Sequence, residues 1–292
     1  MKTRTVELVA SPKEPHFVGD GFRVHNFIPS GYRLDMQREN PFIMLDYNSP
    51  YKFPPSSQPK GVGVHPHRGF ETVTIAYKGK VAHHDSSGGG GVIGEGDVQW
   101  MTAASGVLHK EYHEEEWSKT GGEFQMVQLW VNLPAKDKMS SPKYQAIKNK
   151  EIPRKVLEDN AGEIEVIAGA YKDVQGVAST FTPLHMMNAK LNKGGKVDFD
   201  FPAHYNTVLL VLEGSIEING SEKTPTNHLA LMSNDGENFT IEASEDSVVL
   251  VLSGAPIEEP IAAHGPFVMN TKEELMEAFN DFNNGKFGYL ED

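Results

Sequence analysis

The stretch His65-Pro66-His67-Arg68-Gly69-Phe70-Glu71 decides the fold of this chain, together with His109-Lys110-Glu111 downstream. Side chains alternate between the two faces of a β-strand, so the two histidines of the first stretch share one face. The histidine and the glutamate of the second stretch do the same. If the two strands are neighbours, the four groups converge, and a divalent ion held there keeps open coordination positions, as catalytic sites do. The sequence therefore predicts a metal site with the ligands His65, His67, His109 and Glu111.

The residues around both stretches favour β-strands. The segment Thr72-Val73-Thr74-Ile75-Ala76-Tyr77 is rich in β-branched residues and ends at the turn-forming Lys78-Gly79-Lys80. Residues 94–97 predict a second turn, and residues 98–102 predict another strand. The alternative is that the histidines are unrelated surface or core residues. Two pairs at strand spacing, separated by glycine-marked strands, favour the metal site.

Composition limits the class of protein. The chain has 292 residues, enough for two domains or one large β-rich unit, and its 28 glycines and 18 prolines suit a fold with many turns. It has no cysteine, which excludes disulfides, zinc ribbons and thiol nucleophiles and suits a reducing compartment. We therefore expect a cytoplasmic protein. The N-terminus lacks an apolar signal core, and no segment reaches the ~18–20 apolar residues of a membrane span.

The charge of the chain argues against direct nucleic-acid binding. Forty acidic residues against 27 basic ones give a net charge of −13, which repels phosphate backbones. The lysine-containing segments 136–138 and 148–150 are too short and mixed to form a basic patch. We expect neither nucleic acid nor membrane as a partner.

Five motifs resemble the cupin superfamily and, within it, the pirins. Gly106-Val107-Leu108-His109 matches the second cupin motif, and pirin-like segments cover residues 65–72, 96–102, 128–134 and 265–270. These segments extend over most of the chain. The resemblance implies an all-β fold with two cupin barrels, of the double-stranded β-helix or jelly-roll type, followed by a short C-terminal helix.

The resemblance also bears on the fourth ligand. In pirins it is the glutamate two residues after the second-motif histidine, which corresponds to Glu111, whereas ordinary cupins use a glutamate at the position of Glu71. Glu71 is four residues after His67 and would share its face on an ideal strand. Periodicity alone therefore leaves both glutamates open, and the pirin resemblance favours Glu111.

The chain divides near its middle. Residues 133–142 are polar and bounded by prolines, which indicates a linker. We expect an N-terminal metal-binding cupin domain at residues 1–137 and a C-terminal cupin domain without metal at residues 138–292. Residues 191–254 look like a second copy of the first barrel, but His204-Tyr205-Asn206 replaces the paired histidines. We expect His185 and His204 to have structural or interface roles.

The last segment predicts a helix. Thr271-Lys272-Glu273-Glu274 has the pattern of a capping box, and Leu275, Phe279 and Phe282 fall on one helical face. Gly285 suits the end of this helix. We expect the apolar face to pack against a sheet.

Several other residues have two possible roles. His83 and Asp85 share a strand face and could orient a ligand histidine, or they could belong to a solvated hairpin. The large apolar residues near the motifs could line a pocket or form ordinary core: Phe70, Trp100, Phe124, Met126 and Trp130.

The donor set suits several metals. Imidazoles and a carboxylate without sulfur fit iron(II), which we expect, as well as nickel, manganese, copper and zinc. Glu111 could serve both as ligand and as the base that takes a substrate proton. The resemblance implies a metal-dependent dioxygenase of a flavonol-like aromatic substrate, of the quercetin 2,3-dioxygenase type, with dioxygen as the second substrate. It also implies an alternative, a metal- or redox-gated module that binds a protein partner as a transcriptional co-regulator. A cupin-type sugar isomerase is a third possibility, against which the apolar surroundings of Phe70 and Trp100 argue.

Overall fold

The computed structural model describes residues 2–31 and 33–291, in which β-strands are the main regular structure. The first half of the strands, numbered in chain order, are β1 (Val6–Ala10), β2 (His16–Val18), β3 (Phe22–Ile28), β4 (Phe42–Phe53), β5 (Gly61–His67), β6 (Phe70–Lys78), β7 (Val81–Asp85), β8 (Gly90–Ile93), β9 (Val98–Thr102), β10 (Val107–His113), β11 (Gly122–Asn132), β12 (Lys143–Ile147) and β13 (Arg154–Val156). The remaining strands are β14 (Gly162–Ala168), β15 (Ala170–Tyr171), β16 (Val174–Gln175), β17 (Leu184–Leu191), β18 (Lys196–Asp200), β19 (Asn206–Glu213), β20 (Ser215–Ile218), β21 (Glu222–Pro225), β22 (Leu229–Met232), β23 (Asn238–Ala243), β24 (Ser247–Gly254), β25 (Ala262–His264) and β26 (Phe267–Met269). The helices are α1 (Met36–Glu39), α2 (Glu115–Thr120) and α3 (Lys272–Asn283), with 3₁₀ turns at Ala135–Asp137, Asn149–Glu151 and Glu158–Asn160. The expectation of an all-β fold with a short C-terminal helix is confirmed, with α1 and α2 as additional short helices.

The described residues form two compact units. The first unit contains residues 14–37, 41–149 and 257–291, and the second contains residues 2–13, 38–40 and 150–256. Each unit is described by itself below.

The first unit contains one large and one small antiparallel sheet. The seven-stranded sheet has the order β12-β9-β6-β11-β4-β3-β2, and the four-stranded sheet has the order β5-β10-β7-β8. The first motif crosses from the small sheet to the large one, because β5 ends at His67 and β6 begins at Phe70. Gly69 makes this crossing with a φ of +91°, and a Cβ atom there would lie 1.9 Å from the carbonyl oxygen of Val268. Only glycine fits this turn.

The second unit repeats this architecture. Its seven-stranded sheet has the order β1-β22-β19-β24-β17-β14-β13, and its four-stranded sheet has the order β18-β23-β20-β21. The strands that correspond to β5 and β10 of the first unit are therefore β18 and β23. They contribute Val197, Phe199 and Ile241 to a continuous apolar core. The sequence of residues 191–254 predicted a second copy of the first barrel. This copy is present, because the two units share the same arrangement of sheets.

Each compact unit is assembled from segments that are distant in the chain, whereas the expected domains were continuous and met between residues 137 and 138. Strand β1 pairs with β22, which adds the N-terminal segment to the second unit. Strand β12 pairs with β9, and the C-terminal residues from 257 onward belong to the first unit. The terminal helix is part of the compact unit that carries both histidine motifs. Contacts between segments that are distant in the chain produce no local sequence pattern, so the sequence does not predict them.

Helix α3 begins as its capping box predicts. The Thr271 side chain accepts a hydrogen bond from the Glu274 amide, and the Glu274 carboxylate accepts from the Thr271 amide. The buried face of the helix packs on the β25–β26 hairpin and on Leu108 of β10. Phe282, expected in the apolar stripe, stays 36% exposed. Among the described residues, no helix combines the length and apolar character needed to cross a membrane.

Candidate metal centre

Strands β5 and β10 are antiparallel neighbours, which is the condition under which the two motifs meet. His109 lies directly opposite His65 in the register of the two strands. The ring centroid of His109 is 4.2 Å from that of His65 and 4.7 Å from that of His67. One ligand atom from each of these three side chains lies within 4.8 Å of the other two. The three predicted histidines therefore form one cluster.

Each of the three rings has its Nδ1 atom next to a hydrogen-bond partner. Nδ1 of His65 is 2.8 Å from the Gly63 carbonyl oxygen, and Nδ1 of His67 is 3.3 Å from that of Pro266. A carbonyl accepts only from a protonated Nδ1, so the Nε2 atoms of these two rings carry free lone pairs. This is the arrangement that ligand histidines commonly show.

His109 is the most deeply placed of the three. Its side chain is fully buried, and its Nε2 atom has no hydrogen-bond partner among the described residues. A buried nitrogen without a partner is costly in a folded protein and calls for a ligand. A divalent ion shared with His65 and His67 would satisfy it, so the donor set fits a metal.

Burial keeps the imidazoles of His67 and His109 neutral. Desolvation, and secondarily the neighbouring His65, hold the pKa of His67 well below its ordinary value. Desolvation, and secondarily His67, lower the pKa of His109 in the same way. Since only the neutral ring binds a metal, the cluster is ready to bind at neutral pH without releasing protons from these two rings.

Glu111 lies beside this cluster rather than within it. A register shift between His109 and Glu111 interrupts the pairing with β5. Glu111 belongs to a second group of side chains, with His109 and His83, whose ligand atoms also lie within 4.8 Å of one another. The predicted carboxylate of Glu111 therefore lies next to His109. The group that includes His65 and His67 contains His109 but not Glu111.

Three donors from the large sheet hold the Glu111 carboxylate. Nε2 of Gln99 donates to Oε1 at 2.8 Å, and Oγ1 of Thr74 donates to the same oxygen at 3.3 Å. Nε2 of Gln128 donates to Oε2 at 2.7 Å. These bonds fix the orientation of the carboxylate from the sheet opposite its own strand.

His83 connects the cluster to a buried acid. Its Nε2 atom is 3.1 Å from Oδ2 of Asp85, and its Nδ1 atom is 3.4 Å from Nδ1 of His109. The Gln99 amide also lies 3.1 Å from Nδ1 of His83. A proton on Nε2, donated to Asp85, makes Nδ1 an acceptor for both neighbours. The His83 group is therefore a hydrogen-bonded network, and the reading of His83 and Asp85 as a solvated hairpin does not apply.

Asp85 has a depressed pKa despite its burial. Desolvation raises this pKa, but hydrogen bonds from His83, Ser87 and the Gly89 amide outweigh it and lower the pKa to about 2. The carboxylate is thus charged at neutral pH and holds the proton on Nε2 of His83 by a charge-assisted bond.

Glu71 lies away from the cluster. Its Oε1 atom accepts a hydrogen bond from Oγ1 of Thr102 at 2.7 Å, and the side chain is 1% exposed. The ideal-strand argument fails because the chain turns at Gly69. Thr74 reaches Glu111, so Glu71, an odd number of residues earlier on β6, faces the other side of the sheet.

A cavity of about 360 Å³ opens beside His65, His67 and Glu111. Its walls are mainly apolar, from residues on both sheets: Val18, Phe22, Val24, Met44, Val62, Met126, Trp130 and Pro266. The size falls in the range of small-molecule sites. Among the large apolar residues singled out in the sequence, Met126 and Trp130 line the cavity. Phe70 stacks on Trp130 at 4.2 Å, whereas Phe124 packs in a core cluster.

Sequence reasoning missed several polar residues of this site. Gln99 and Gln128 lie inside quoted motifs but carry no spacing signal of their own. Asp46 lines the cavity from β4, and Pro266 accepts from His67 although it is 199 residues away in the chain. Pro266 lies in the pirin-like segment 265–270, and this resemblance is the only feature of the sequence that points to it.

Two family models match the chain. The pirin model matches residues 21–131, and the model of the pirin C-terminal cupin domain matches residues 186–288. The chain belongs to the pirin family. As a pirin, it also has the two cupin domains that its sequence predicted, which confirms the expected fold class.

Relatives of this pirin agree with that assignment. It is 50% identical over 272 residues to a Pseudomonas aeruginosa protein named "Putative quercetin 2,3-dioxygenase PA2418", covering 93% of this chain and 94% of the relative. It is 36% identical to a pirin-like protein of Solanum lycopersicum, covering 93% and 89%. The crystal structure of a quercetin 2,3-dioxygenase from Acinetobacter baumannii has 50% identity and a TM-score of 0.93, covering 99% of this chain and 100% of that chain.

Proposed function

We propose that this pirin is a mononuclear-metal-dependent dioxygenase that acts on a flavonol-like aromatic substrate. The observation that carries the proposal is the cluster of three imidazoles, of which His67 and His109 are buried, beside a mainly apolar cavity that His65 and His67 line. The names of the relatives with half of their residues identical support the same activity.

The proposed ligands are His65, His67 and His109, with Glu111 as the fourth. The three Nε2 atoms offer nitrogen donors, and the carboxylate beside His109 adds an anionic one. When bound, a divalent ion acidifies a coordinated hydroxyl and brings electron-rich substrate and dioxygen together. We expect iron(II), and the oxygen and nitrogen donors also fit nickel, manganese, copper and zinc.

The residues around the ion have separate tasks. The apolar walls, including Trp130 and Met126, bind the flat faces of an aromatic ring and exclude bulk water. Glu111 lines the same cavity, so its carboxylate can take the proton of a substrate hydroxyl. Gln99, Thr74 and Gln128 hold that carboxylate in place throughout.

Oxygen uptake with quercetin tests the proposal. Protein loaded with one metal ion per chain should consume dioxygen when quercetin is added, and protein treated with a chelator should not. His67→Ala serves as a variant that lacks one ligand. If the loaded protein binds metal fully but consumes no dioxygen with quercetin, the oxygenase proposal is wrong. A protein partner retained only in one oxidation state of the ion would then favour the alternative of a redox-gated binding module.

A further inference from the structure

A row of polar side chains crosses the inner face of the large sheet of the first unit. The row follows lateral neighbours on five adjacent strands: Asn26, Asp46, Gln128, Thr74 and Gln99. Lateral partners in a sheet share a face, so all five point toward the small sheet. Met44, Met126 and Trp130 lie at nearby positions of the same face, so a continuous row of polar side chains beside them indicates a site.

The two ends of the row differ in what they bind. Gln128, Thr74 and Gln99 donate to the Glu111 carboxylate. Asp46 and Asn26 lie at the other end, where Nδ2 of Asn26 donates to Oδ1 of Asp46 at 2.7 Å and to the Ile28 carbonyl at 3.1 Å. The second half of the row is thus separate from the network that supports the metal centre.

Asp46 is one of the few polar residues in a mainly apolar cavity wall. It lines the cavity together with residues such as Phe22, Val24 and Met44. Desolvation raises its pKa, and the hydrogen bond from Asn26 opposes that change. An acid in an apolar wall costs free energy unless it forms hydrogen bonds, so a ligand that supplies another donor would be favoured.

We propose that Asp46 determines substrate specificity by accepting a hydrogen bond from a hydroxyl of the aromatic substrate, remote from the oxygens that approach the metal. The proposal rests on the proposed flavonol-like substrate and deepens it. Asn26 positions the acceptor by holding its other oxygen. The site then selects polyhydroxylated rings over rings whose only hydroxyl is the one at the metal.

If Asp46 has only a structural role, its removal should have a different effect. Its bond to Asn26 joins β3 to β4, so its loss could lower stability without changing which ligand is preferred. The test therefore compares two ligands in the same variant. Quercetin has several hydroxyls, and 3-hydroxyflavone keeps the 3-hydroxyl and 4-keto oxygens but lacks the others.

The experiment measures dissociation constants of both flavonols by fluorescence quenching, without dioxygen, on protein that holds one metal ion per chain. Wild-type protein should prefer quercetin by about tenfold or more, as expected for a hydrogen bond to a carboxylate. Asp46→Ala should lose that preference by weakening quercetin alone. Asp46→Asn keeps an acceptor oxygen and should recover part of it. Asp200→Ala, which removes an exposed carboxylate, is the matched control.

The outcomes separate the two proposals. If Asp46→Ala is folded, retains metal and keeps the quercetin preference, or weakens both ligands equally, the role of Asp46 is wrong while the flavonol proposal stands. If wild-type protein binds neither flavonol, both proposals are overturned. Melting temperatures of all variants show whether any loss follows from unfolding.

Discussion

Nε2 of Gln128 on β11 lies 2.7 Å from Oε2 of Glu111 on β10, so the large sheet and the small sheet of the first unit meet at the candidate metal centre. The small sheet provides the three histidines and the glutamate. The large sheet provides the amides and the hydroxyl that hold the glutamate. Since the carboxylate is 4% exposed, its position depends on these donors. The candidate metal centre therefore depends on residues of both sheets.

His67→Ala should reduce bound metal to well below one ion per chain. The imidazole offers its Nε2 atom because its Nδ1 is engaged with Pro266, and alanine offers no donor. We expect the fold to persist with modest destabilisation, since the apolar core is separate from the cluster. Elemental analysis of the purified variant measures the loss. Full metal occupancy in His67→Ala would contradict the ligand assignment.

Glu111→Gln should weaken metal binding and abolish turnover, because it keeps the shape of the side chain but removes its negative charge. Glu71→Gln is the matched comparison, since that side chain lies on the other face of the sheet and bonds Thr102. Metal titration and oxygen uptake on both variants provide the readout. If Glu71→Gln loses more metal than Glu111→Gln, the fourth ligand is misassigned.

Asp85→Asn should weaken metal affinity, by at most the roughly 10–100-fold that is usual for a group in direct contact with a ligand histidine, because Asp85 acts on His109 through His83. The carboxylate holds the proton on Nε2 of His83, which leaves Nδ1 of His83 as an acceptor facing His109. An amide binds that proton less strongly. Competition with a metal chelator measures the affinity, and Asp173→Asn, at an exposed ion pair with Lys155, is the control. If Asp85→Asn and Asp173→Asn bind the metal equally tightly, His109 needs no support from His83 and Asp85.

Glu71 should make the free energy of unfolding depend on pH. Burial raises the pKa of Glu71 to about 7 from 4.5, so the folded state binds its proton more tightly than the unfolded state. Stability from this group is present below pH 4.5 and is lost as pH rises toward 7, by about 3 kcal/mol at most. Glu71→Gln removes the effect and should gain stability relative to wild type across that window.

Denaturant unfolding at pH 5 and pH 8, in the presence of a chelator, measures this difference. Glu222→Gln, at an exposed position, should show the pH dependence of wild type. A constant difference between wild type and Glu71→Gln at both pH values would mean that Glu71 titrates normally.

His204→Ala should leave metal content and any turnover nearly unchanged. The residue is exposed in the second unit, and the strands there that correspond to β5 and β10 contribute apolar side chains to a filled core. A single imidazole cannot hold a divalent ion against water at ordinary metal levels. Two ions per chain in wild type, with one lost in His204→Ala, would show that both units bind metal.

The sequence alone determined the features that depend on near neighbours. The two-residue period of a strand put His65 with His67, and the four-residue pattern at Thr271 gave the start of helix α3. The motifs resembled those of pirins closely enough to imply that family and its two cupin domains. The strand period and the helix start follow from backbone geometry over a few residues, so they are visible without the fold.

Only the tertiary structure decided which distant groups meet. The turn at Gly69 moved Glu71 to the other face of its sheet, which strand periodicity did not reveal. The Pro266 carbonyl reaches His67 across 199 residues, and Asp46 joins the cavity through a sheet register that no local pattern specifies. Strand pairing and burial are set by the free energy of the whole packed unit. The candidate ligands are therefore encoded locally, while the groups that support them and the cavity exist only once the sheets have packed.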